Sequence, residues 1–106
     1  MVWKIVYYSE ALQKEIMDFP IGIKARYIHL TDRMQIHGAN LGMPHTKAMK
    51  NGLFELRMKS KEGIGRVLYC TLVGKRIIML HSFLKKSQKT PSKELKIALA
   101  RMKGVK

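Results

Sequence analysis

The sequence predicts a small α+β domain, and three observations carry that expectation. Helical spacing dominates the first third of the chain, strand-like alternation the middle, and helical spacing returns at the end. The chain has 106 residues, so residues 1–106 are read as a single domain. Apolar residues make up 46% of it, which suffices for one packed core and argues against disorder.

The elements follow in order. Residues 2–8 are short, apolar and aromatic, and read as a strand. Ser9 can cap the next helix, with Glu10 well placed in its first turn. Leu12, Ile16 and Phe19 share one face of that helix. Pro20 closes it and can open another, on which Ile23, Tyr27, Leu30 and Met34 recur at helical spacing until Gly38 stops it. The two helices form a hairpin. Residues 39–51 carry Gly42, Pro44 and no clear period, and read as a loop. Strand 53–59 puts Phe54, Leu56 and Met58 on one face and Glu55, Arg57 and Lys59 on the other. A turn at 60–63 leads to strand 64–72, and a tight turn at 73–75 leads to strand 76–83. Ile77-Ile78-Met79-Leu80 is apolar on both faces, as in a covered strand. After a basic loop, Thr90 and Pro91 are expected as cap and first residue of a helix that buries Leu95, Ala98, Leu99 and Met102. The order is β-α-α-β-β-β-α, with a mostly antiparallel sheet, an N-terminal helical hairpin and a C-terminal helix.

Charge narrows the function. Lys and Arg number 21 against seven Asp and Glu, a formal charge of +14. A domain this small with that charge calls for a polyanionic partner, nucleic acid first, although a solvated basic surface is the plain alternative. Cys70 has no cysteine partner within the chain and lies in an apolar run, as an inert core residue in a reducing compartment would. No apolar stretch nears the ~18 residues of a membrane span. The start, Met1-Val2-Trp3-Lys4-Ile5, is unlike a signal peptide, so the cytoplasm is expected, with no membrane partner. His29 and His37 lie too far apart for one metal, and neither His45 nor His81 has a carboxylate or cysteine cluster beside it. No Gly-rich phosphate loop and no nucleophile elbow is present. No metal or other cofactor is expected.

Two segments carry a resemblance to a known family. Gly52-Leu53-Phe54-Glu55-Leu56-Arg57, followed by Gly65-Arg66-Val67-Leu68-Tyr69, resembles the paired strands of the RelE/HigB superfamily of small bacterial toxins. Leu80-His81-Ser82-Phe83-Leu84-Lys85-Lys86-Ser87-Gln88-Lys89-Thr90-Pro91 is similar to the C-terminal signature of its phage-derived, HigB-like branch. The resemblance implies a RelE-like fold with a basic concave surface. It implies a type II toxin that enters the ribosomal A site and cuts mRNA by attack of a ribose 2′-OH on the adjacent phosphate, without a metal. The implied partners are the ribosome, mRNA and a cognate antitoxin, usually a small helix-turn-helix protein. The alternative is a non-catalytic RNA- or ribosome-binding module derived from the same fold.

That reaction needs a base, cations for the phosphorane-like charge and a donor for the leaving oxygen. The resemblance puts the active-site cations at Arg57 and Arg66, whose planar forks suit phosphate; the plain alternative is two ordinary exposed sheet residues. Glu55 can be the base, or it can merely neutralise and hold Arg57. Lys86 is the expected catalytic cation of the basic loop, with Lys59, Lys85 and Lys89 as RNA contacts. RelE has an Arg in that loop, a Tyr soon after and a lysine at the place of Glu55; this chain departs from it at all three. Phe83 can stack on a base or join the core. His81 follows Ile77 and Met79 by simple alternation and is expected as a half-buried structural residue, with proton transfer as its reserve role.

Overall fold

A computed structural model describes residues 2–85 and 90–106. Its elements are β1 (Lys4–Tyr7), α1 (Glu10–Met17), α2 (Ile21–His37), β2 (Thr46–Ala48), a short 3₁₀ turn (Lys50–Gly52), β3 (Phe54–Ser60), β4 (Gly63–Leu72), β5 (Arg76–Lys85) and α3 (Ser92–Val105). The strands form one sheet in the order β1-β5-β4-β3-β2. β1 runs parallel to β5, and the other pairings are antiparallel. The fold is therefore the expected small α+β domain with a mostly antiparallel sheet. No helix among the described residues is long and apolar enough to cross a membrane.

Local chemistry explains most of these elements. The Ser9 hydroxyl accepts from the Leu12 amide and opens α1. Gly38 ends α2 at φ 104, a conformation that side chains with a Cβ resist. Gly65 lets α2 approach the sheet, because a Cβ there would lie 2.6 Å from an Ile23 methyl.

Two apolar layers sandwich the sheet. Leu12, Ile16, Ile23, Tyr27, Leu30 and Met34 of the helical hairpin pack on Leu56, Met58, Val67, Tyr69, Ile77 and Met79. On the other face α3 supplies Ala98 and Met102, with Leu95 and Leu99 at the edge, against Leu53, Leu68, Cys70, Ile78 and Leu80. The β5 segment Ile77-Ile78-Met79-Leu80 is covered on both sides, as its composition predicts.

Four expectations need correction. The 39–51 loop contains a fifth strand, β2; its buried Thr46 donates to Asn40 Oδ1 at 2.9 Å and accepts from the Gly42 amide at 2.8 Å. The first strand is shorter than residues 2–8. Thr90 does not cap α3: Pro91 occupies that place without a side-chain cap, and the Thr90 hydroxyl donates to Glu55 instead. Last, the alternation along β5 breaks. Met79 faces Tyr69 and His81 faces Leu68, so Leu80 is an extra residue, a β-bulge. The Leu80 carbonyl takes a hydrogen bond from Arg101 Nη1 of α3 at 2.7 Å. Beyond the bulge His81, Phe83 and Lys85 lie on the α3 face, not on the face of Ile77 and Met79.

Candidate functional site

The helix α3 covers only part of its face of the sheet. The remainder holds polar residues that adjacent strands bring together. Alternation on β3 places Glu55, Arg57 and Lys59 there, and the antiparallel register sets Arg57 directly opposite Arg66 of β4. Phe83 is opposite Arg66 on the other side, and Lys85 is opposite Ile64. The bulge is what puts the last two on this face.

Glu55 is the hub. It is fully buried, and its Oε1 accepts from Arg57 Nε at 3.1 Å. The same oxygen lies 3.4 Å from Arg66 Nε, an ion pair without hydrogen-bond alignment. Its Oε2 accepts from the Thr90 hydroxyl. A buried carboxylate with three such neighbours is fixed in place, and it fixes the arginines in turn.

Arg66 corrects the expectation of an exposed sheet residue. It is 2% exposed, and its Nη1 donates to the Gly65 carbonyl at 3.3 Å. Burial pulls its guanidinium below the usual range, Glu55 opposes that shift and Arg57 adds to it. Arg57 keeps 18% of its side-chain surface exposed. Lys85 is also buried. Burial lowers its pKa first, then Arg66, with Glu55 opposing and Arg57 and Lys47 contributing. Buried cations at this density cost stability, and such costs concentrate at functional sites.

A cleft of about 230 Å³ opens beside these residues, lined by Arg57, Lys59, Ile64 and Arg66 together with Arg26, Pro44 and His45. It is smaller than the roughly 300–1,000 Å³ of small-molecule pockets and lined mainly by cations, so it suits a backbone phosphate better than an enclosed metabolite. Arg26 and His45 are absent from the sequence-based site. Arg26 lies on the helical hairpin, and from the sequence His45 stands out only as a possible metal ligand. The Arg57 amide donates to the His45 carbonyl at 2.9 Å, which pins the loop to the cleft. Burial, followed by Arg33, Arg26 and His29, lowers the His45 pKa, which favours the neutral imidazole. A histidine one residue past a Pro in a glycine-containing loop was the available signal; its proximity to the arginines was not.

The other expected residues divide. Lys59 reaches the cleft. Phe83 packs against the α3 core and stacks on His81 with ring centroids 5.9 Å apart. His81 Nε2 meets Glu94 Oε1 at 2.8 Å, tying β5 to α3 away from the cleft. Lys86 and Lys89 lie outside the described residues. Among the described residues, no three His, Cys, Asp or Glu side chains converge on one point.

A family model described as "Phage derived protein Gp49-like (DUF891)" matches residues 14–103. No curated protein sequence matches the chain. Among solved structures, the fold is similar to that of the E. coli toxin RelE, determined as an arginine-to-alanine double mutant in the free state. The TM-score is 0.59 and the identity 14%, covering 96% of this chain and 99% of that one.

Proposed function

The chain belongs to the phage-derived Gp49-like family, and on that premise we propose that it is the toxin of a type II toxin–antitoxin pair, in the HigB-like branch. Its activity in this reading is ribosome-dependent cleavage of mRNA in the cytoplasm, and its partners are the ribosome, mRNA and an antitoxin, a helix-turn-helix protein. The RelE-like fold and the +14 charge support it. The observation that carries it is the facing pair Arg57 and Arg66, held on one buried carboxylate at the edge of an open cationic cleft.

In the proposed mechanism the scissile phosphate enters the cleft and lies against Arg57, Arg66 and Lys59. The arginines stabilise the charge that grows on the phosphate oxygens as the 2′-oxygen attacks. Their positions are set before substrate arrives, because Glu55 holds them and Thr90 holds Glu55. The neutral His45 imidazole accepts the 2′-OH proton. Glu55, with both oxygens occupied and no exposed surface, acts as the positioning residue. Lys85 donates to the leaving 5′-oxygen: a destabilised ammonium is a stronger acid than a solvated one. Lys86 and Lys89, outside the described residues, are further candidate phosphate contacts by charge, and Phe83 packs against the α3 core. His81 holds α3 in place through Glu94.

The test is cleavage of a defined mRNA on programmed ribosomes, with the same RNA free in solution as control. Cuts on ribosomes alone are the expected result. Cuts on free RNA would make it a ribosome-independent nuclease, and binding without cuts a non-catalytic ribosome binder.

A further inference from the structure

A second opening, of about 470 Å³, runs between α3 and the β2–β3 edge, and the proposed reaction does not use it. Its floor is Met49, Leu53, Leu95 and Leu99. Its rim carries Lys47, Lys50 and Lys96, and no carboxylate stands among the described residues lining it. Lys47, Lys50 and Lys96 are exposed.

The chemistry of floor and rim narrows the occupant. RNA would satisfy the lysines, but its bases need aromatic or guanidinium planes to stack on, and neither lines this floor. A neutral apolar ligand would leave three cations unused. An amphipathic helix satisfies both: apolar side chains at i, i+4 and i+7 fill the floor, and flanking Asp or Glu meet the lysines. We propose that this groove is the docking site for an acidic amphipathic helix of a partner protein. Identifying that partner as the antitoxin rests on the reading above; the docking chemistry does not.

The location makes docking inhibitory. Lys47 faces Glu55 across the β2–β3 register, and its charge bears on Lys85. A carboxylate brought to Lys47 therefore lies against the basic cluster that would receive the phosphate, and it lowers the positive potential there. The α3 wall of the groove also starts just after Thr90, which holds Glu55.

The test uses the whole protein with methyl-labelled methionine, so that Met49 reports from the groove floor. The probe is a helical peptide of about four turns, ~15 residues, with Leu on one face and Glu beside it. Three controls accompany it: Lys in place of Glu, Ser in place of Leu, and a short single-stranded RNA. Only the Leu/Glu peptide should shift the Met49 methyl. Lys50→Glu with Lys96→Glu should weaken its binding at least roughly tenfold while leaving the melting temperature unchanged, since both sites are exposed. The proposal is overturned if the Leu/Glu peptide leaves Met49 unmoved, if the Ser control binds as well, if the charge reversals have no effect, or if RNA shifts Met49. In parallel, saturating peptide should inhibit ribosomal cleavage by the wild-type protein. A wild-type protein that does not cleave refutes the nuclease reading and leaves the Met49 titration to decide the groove by itself.

Discussion

Glu55→Gln separates the two roles open to this carboxylate. The change keeps size and shape and removes one buried negative charge. At an effective dielectric of about 20, its attractions to Arg57 at 3.1 Å and Arg66 at 3.4 Å are each about 5 kcal/mol before desolvation. Breaking a buried pair by removing one partner costs about 3–5 kcal/mol, because the other charge stays buried. Arg57 is part-exposed and recovers some hydration, and the amide regains about 1 kcal/mol of hydrogen bonding. The expected net loss is therefore about 2–4 kcal/mol, which in a domain of this size lowers the melting temperature by roughly 10–25 °C. Circular dichroism on heating measures it. Single-turnover cleavage on programmed ribosomes, at a temperature where the variant is folded, completes the test. A positioning residue lowers the rate but leaves the acid limb of the pH profile intact, since His45 still titrates. A general base loses that limb along with about 10²–10⁴ in rate. A melting temperature within about 3 °C of wild type would refute the compensating role, and a vanished acid limb would make Glu55 the base.

Further outcomes are expected elsewhere in the cleft. Arg57→Ala should keep the fold and lose about 10²–10³ in single-turnover rate, whereas Arg66→Ala should also lower the melting temperature, because Arg66 is buried against Glu55; equal melting curves for the two would contradict that assignment. His45→Gln should lose about 10²–10⁴ in rate. In the wild type, the depressed His45 pKa puts the acid limb below pH 6.5. A limb above 6.5 would exclude His45. Lys85 has a folded pKa below its ordinary 10.5, so the unfolded chain binds the extra proton between the two values and stability rises with pH there. Lys85→Met should flatten that rise in an alkaline denaturation series and impair cleavage; an unchanged slope would refute it. Ribosome binding should weaken steeply with salt, and an affinity indifferent to salt between about 50 and 500 mM would argue against phosphate contacts.

The sequence by itself determined the parts of this protein whose physics is local. The Ser9 cap, the Gly38 stop, the two-residue period of β3 and the double-faced apolar run of β5 depend on near neighbours, so each element was legible. The same period put Glu55, Arg57 and Lys59 on one face. Net charge pointed to a polyanion, and the motif resemblance pointed to Arg57 and Arg66.

Only the tertiary structure decided how those faces meet. Simple alternation put His81 with Ile77 and Met79, but the Leu80 bulge, supported by Arg101 of α3, turned His81, Phe83 and Lys85 onto the opposite face. Thr90 looked like a helix cap because capping residues are read from adjacent positions; its hydroxyl instead met a carboxylate 35 residues away. Strand β2 had too few residues to show a period, and its pairing with β3 made it a strand. Arg66 could be an ordinary exposed sheet residue as far as its own strand shows, and the neighbouring elements buried it. Arg26 and His45 reached the cleft from a helix and a loop that no motif connects to the arginines. Register, burial and convergence are set by packing free energy between segments distant in sequence, and residue spacing within one segment does not contain it.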